Sequence, residues 1–164
     1  MQVATRIMIS MMLTYAILTA SGAMAHESHH QGIQVDQPWA RPTPPVKPIN
    51  GAAYFVISNH GDRAAILEGI STPITDMASM HQTREEGGTL RMGAVEGGLE
   101  IAPGETVRFE PNGYHVMLMN LDEPLKEGKS FPLTLKFAQQ DNIELDVRIE
   151  HGPGSSEAMS AHEH

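Results

Sequence analysis

Two histidines and two methionines within one stretch, Met80 to Met119, carry the donor atoms to hold a soft metal ion. His81 and His115 offer ring nitrogens, and Met92 and Met117 offer thioether sulfurs. The chain contains no cysteine, so a thiolate site is excluded and any soft-metal site must be built from Met and His. Two thioethers and two imidazoles, without carboxylate or thiolate, favour Cu(I) over Zn(II), Mg(II) or Ca(II). Thioethers are neutral and do not compete with protons, and they release an ion readily to a thiolate acceptor.

The spacing gives these residues a way to meet. Alternation on a strand puts His115, Met117 and Met119 on one face and Val116 and Leu118 on the other. Residues two apart on a strand are separated by about 6.5–7 Å, which a long Met arm can close. Glu85-Glu86-Gly87-Gly88 reads as a hairpin turn between Met77–Thr83 and Thr89–Met92. A turn centred between Glu86 and Gly87 sets His81 directly opposite Met92. Met80, on the other face, is expected in the core.

The surrounding segments read as strands. Ile33–Asp36 alternates and is expected to be an edge strand. Arg41–Pro48 holds four prolines and must be an extended loop. Trp39 is expected as a core anchor. Ala52–Ser58 is β-prone, and Ala64–Ile70 follows the turn at Asn59–Asp62 as the second strand of a pair. His60 is a solvated turn residue in this reading. Leu99–Ile101, Thr106–Phe109, Tyr114–Asn120, Phe131–Ala138 and Ile143–Glu150 complete the pattern. These short strands with turn residues between them, and no sustained helical period, predict an all-β antiparallel sandwich or barrel.

The chain has 164 residues, the size of one domain. Residues 1–25 have the layout of a secretory signal: Arg6, an apolar run from Ile7 to Ala20, and Ala23-Met24-Ala25 as the cleavage site. No cysteine follows, so lipid attachment through a thiol is not expected. Cleavage after Ala25 leaves 10 Lys and Arg against 20 Asp and Glu. Such an acidic exported domain is a poor partner for nucleic acid or anionic lipid, and no later stretch inserts into a membrane. It suits a cationic cargo. Residues 26–32, HESHHQG, form a His-rich N-terminal segment expected to be disordered. His26, His29 and His30 there could be solvated or could hold Cu(II) or Zn(II). Residues 152–164 form a tail containing Met159, His162 and His164.

The stretch MHQTREEGGTLRMGAVEGGLEIAPGETVRFEPNGYHVMLMNL resembles the periplasmic copper chaperone family PCu(A)C. Its signature is a His, ten residues, a Met, about twenty-one residues, and His-x-Met. Here ten residues separate His81 from Met92, and twenty-two separate Met92 from His115. The likeness spans roughly Ile33 to His151. It implies a cupredoxin-like or immunoglobulin-like antiparallel β-sandwich over residues 33–151, binding Cu(I) through His81, Met92, His115 and Met117. It implies a periplasmic carrier that passes copper to an acceptor, such as a cytochrome c oxidase subunit or the thiol chaperone that assembles it, and the chain itself is expected to be a monomer. A Met that often follows the first His is absent, since Gln82-Thr83 stand there and Met80 precedes instead. The tail from Met159 to His164, like the His/Met-rich extensions of some relatives, implies an auxiliary Cu(II) site.

Other readings make different demands. A blue-copper electron carrier needs a Cys ligand. An oxidative copper enzyme could use His26 as an amine-plus-imidazole brace, given a second His nearby. A copper-sequestering resistance protein would store several ions without transfer, and an adhesive sandwich would bind none. No Ser-His-Asp arrangement, paired-carboxylate motif or nucleotide loop points to an enzyme.

Overall fold

The computed structural model describes residues 32–152. The signal segment, His26, His29, His30, Met159, His162 and His164 lie outside the described residues. Ten strands follow in order: β1 Ile33–Ala40, β2 Ile49–Asn59, β3 Ala65–Ser71, β4 Met77–Glu86 and β5 Thr89–Ala94 come first. Then come β6 Leu99–Ile101, β7 Thr106–Phe109, β8 Tyr114–Leu121, β9 Ser130–Phe137 and β10 Ile143–Ile149. Among the described residues there is no helix, and the protein is all-β with the cupredoxin-like sandwich architecture.

The strands form one hydrogen-bonded series, β5-β4-β8-β7-β2-β1-β10-β9-β3-β6. β2 is long enough to pair with β7 through Phe55–Ser58 and with β8 through Ile49–Ala53. The series curls back on itself, because β3 and β4, the strands next to its two ends, contact one another. The sheet therefore folds over a single core. β9 and β10 alternate buried and exposed residue by residue, which is the period-2 signature of a sheet with one solvated face. Their inward residues meet Phe55, Ile57, Leu67, Ile101, Val116 and Leu118 in the same cluster. Trp39 is buried, with its ring 4.6 Å from Tyr54, and Met80 is buried in the core. His60 is exposed.

Three pairings differ from the sequence reading. β1 is not an edge strand: it pairs antiparallel with β2 and parallel with β10 through Trp39 and Ala40. Its second partner lies more than a hundred residues further along, so no local signal marks it. β3 does not pair with β2 but lies between β9 and β6. The third difference is the register of the β4–β5 hairpin, where Glu86 pairs with Thr89. Gly87 and Gly88 both have positive φ, 59° and 78°. A two-residue turn of the I′ kind requires that at both central positions, and glycine supplies it at least cost. The turn is thus centred between the glycines. His81 faces Ala94 across the hairpin, and Met92 faces Thr83.

Candidate metal centre

The shift moves the β4–β5 pairing by two residues, so it preserves which face each side chain occupies. His81, Thr83, Met92 and Ala94 still share one face. The second neighbour of β4 is β8, in an unbroken antiparallel register: Met77 opposite Met119, Ser79 opposite Met117, and His81 opposite His115. Met80 and Val116 pair on the opposite, buried face. The outer face of β5-β4-β8 therefore gathers all four candidate donors, with His81 and His115 as direct cross-strand neighbours. Their ring centroids are 6.0 Å apart.

His115 is the anchored member, at 7% exposure. Its Nδ1 lies 3.0 Å from the Gly113 carbonyl oxygen. A carbonyl can only accept, so Nδ1 carries a proton, and in the neutral form of the ring Nε2 is the nitrogen with the free lone pair. The same carbonyl accepts the Thr83 backbone N–H at 3.0 Å, which ties the ring's support to β4. The turn Glu110–Tyr114 is closed by Glu110 N–H to Tyr114 and by Gly113 N–H to Glu110. This is the outer-partner arrangement that fixes tautomer and ring direction in metal-binding histidines.

His115 Nε2 points at Met92 Sδ, 3.0 Å away. In the neutral tautomer both atoms carry lone pairs and neither carries a proton. Bonds of about 2.0 Å to nitrogen and about 2.3 Å to sulfur, the lengths seen at zinc, would span this separation at one ion. Met92 reaches over β4 to get there, and it is 57% exposed on a strand with no buried residue. A large apolar side chain held over a histidine and open to solvent has no packing explanation.

His81 is half-buried. Its Nε2 lies 3.1 Å from the Ser79 hydroxyl. Its pKa is lowered, first by burial and then by the neighbouring His115 ring, which favours the neutral, metal-binding imidazole. Met117, opposite Ser79 on one side and Ala52 on the other, is half-buried on the same face as His115. Among the described residues no three His, Asp or Glu side chains converge as a metal cage. A donor set built here has to include sulfur. Ser79 was missed by sequence reasoning; the signal was the period-2 row Met77, Ser79, His81, whose partners on β8 only the tertiary register reveals.

The profile of the LpqE-like family, "Putative lipoprotein LpqE-like", matches residues 33–149. The chain belongs to the LpqE-like family. A relative described as "Putative lipoprotein Lxx21020", from Leifsonia xyli subsp. xyli, is 27% identical over 145 residues, covering 87% of this chain and 84% of the relative. Among solved structures, the Cu(I) form of DR1885 from Deinococcus radiodurans matches with TM-score 0.58 and 28% identity, covering 79% of this chain and 87% of that one. The copper-bound PCuAC domain from PmoF2 matches with TM-score 0.62 and 21% identity, covering 77% and 99%. The LpqE-like chain thus has the fold of the PCuAC domains.

Proposed function

We propose that this protein is a periplasmic copper chaperone. It is exported by a cleaved signal at residues 1–25 and carries Cu(I) in a site made by His81, Met92, His115 and Met117 of the domain over residues 33–151. The observation that carries this reading is the His115 Nε2–Met92 Sδ pair: two electron-pair donors 3.0 Å apart, with the proton of the ring committed to a backbone carbonyl. Family membership and the Cu(I)-bound state of DR1885, 28% identical, support it. Copper is the cargo, not a resident cofactor. Exposure of Met92 lets an incoming ligand attack before the histidines let go, so transfer proceeds by ligand exchange without free ion. The acceptor is a thiol- or Met/His-bearing protein of the same compartment, with the copper centre of cytochrome c oxidase, or its assembly thiol chaperone, as the favoured destination. The His-rich residues 26–32 and the tail with Met159, His162 and His164 serve as auxiliary Cu(II) sites that raise the local copper concentration by tethering.

The test is anaerobic Cu(I) titration against a competing chelator, for the wild type and for Met92→Leu and Met117→Leu. Loss of even an outer partner of a metal ligand commonly costs about 10–100-fold in affinity. Each substitution is expected to weaken binding by at least that factor. An affinity unchanged in both variants would sink the assignment.

A further inference from the structure

The row of donors does not stop at Met117. One step further along the same register, Met77 of β4 stands directly opposite Met119 of β8. Both lie on the face of His81 and His115, because the residues between them, Ala78 and Leu118, pair on the core side. Met77 is 49% exposed, one of very few large apolar side chains left open among the described residues. The backbone beneath the pair is pinned at both ends. Thr75 Oγ1 donates to the Met119 carbonyl at 2.6 Å and accepts the Met77 N–H at 3.0 Å. Cross-strand partners have Cβ atoms about 5 Å apart, and the next pair along lies about 7 Å away. Met117, one step along from Met119, therefore stands within reach of both the Met77–Met119 pair and the histidines.

We propose that Met77, Met119 and Met117 form a second soft-metal position, beside the His81/His115 site and sharing Met117 with it. Three thioethers and no harder donor select Cu(I) among biological ions. The position lies on the outer face, toward the end of β4 away from the hairpin turn. An ion can step there from the histidine site with Met117 bound throughout, exchanging imidazole for thioether with no change of oxidation state. It then rests on sulfur alone, at a place a partner can reach without touching the β4–β5 hairpin. The inference rests on the reading of the first site as a Cu(I) site.

The experiment uses the exported chain, tails included, with 13C-methyl-labelled methionine, titrated anaerobically with Cu(I) and followed by methyl NMR. Each signal is assigned by a single Met→Leu substitution. The first equivalent is expected to move the methyls of Met92 and Met117. The second is expected to move Met77 and Met119, and the double variant Met77→Leu/Met119→Leu keeps the first event and weakens the second at least tenfold. Leu matches Met in size, Met77 is exposed and Met119 is half-buried on the outer face, so the fold tolerates both changes. If Met92 and Met117 respond but Met77 and Met119 stay still at two equivalents, or the second ion goes to Met159, the second position does not exist. If Met92 and Met117 are silent as well, the first site fails and takes the second with it.

Discussion

The chemistry of the centre turns on which atom of each ring is free. In His115 the Nδ1–H donates to the Gly113 carbonyl and leaves Nε2 facing sulfur. His81 is different, because its Nε2 is shared with the Ser79 hydroxyl at 3.1 Å. If that nitrogen is to bind an ion, the hydroxyl must first release it. A hydrogen bond of this kind contributes about 0.5–1.5 kcal/mol net. Ser79→Ala is therefore expected to tighten Cu(I) binding by roughly two- to tenfold, the conversion of that energy at room temperature. Chelator competition measures it directly. A weaker variant would mean that Ser79 orients the ring for the ion instead of holding it back.

The hairpin from β4 to β5 is the element that brings Met92 to the centre, and its turn sets the register. Gly87 has φ of 59° and open space where a Cβ would sit, so Gly87→Ala isolates the backbone term. An L-residue in that conformation costs about 1–2 kcal/mol. Urea unfolding is expected to show a loss of about that size, with faster amide exchange confined to β5, whose other edge is unpaired in the series. Gly93 lies within β5 without positive φ, again with nothing near its Cβ position. Gly93→Ala is expected to stabilise by about 0.4–1 kcal/mol, because it restricts only the unfolded chain. Opposite signs from two glycines in one hairpin separate conformational strain from packing. The same hairpin shows why sequence reading stopped short. Its strands and its turn were legible in alternation and in Glu-Glu-Gly-Gly, but the register depended on both central residues needing positive φ. Pairings made across the chain, His81 with His115 and Met77 with Met119, leave no local mark at all.

At the scale of the molecule, the four donors belong to three strands that sit next to each other only in the folded sheet, β5-β4-β8. Core positions such as Met80, Val116 and Leu118 were readable from β-alternation, since burial imposes it strand by strand. The two partners of β1 and the place of β3 between β9 and β6 were not, because topology is decided by the whole core at once. With no cysteine in the chain, that core alone holds the frame. Unfolding scatters the donors along the chain between His81 and Met117 and removes the pocket. Binding to the native state must then raise stability by linkage, about 2.7 kcal/mol at a free ion concentration a hundred times the dissociation constant. For a domain of this size that corresponds to a rise in melting temperature of about 10 °C. Anaerobic calorimetry with Cu(I) should find that rise in the wild type and lose most of it in the double variant Met92→Leu/Met117→Leu. The apo proteins should melt within a few degrees of one another, because Met92 is exposed and Met117 lies on the outer face. An equal rise in both would mean that copper is held elsewhere on the native chain, and the convergence of the three strands would have no part in it.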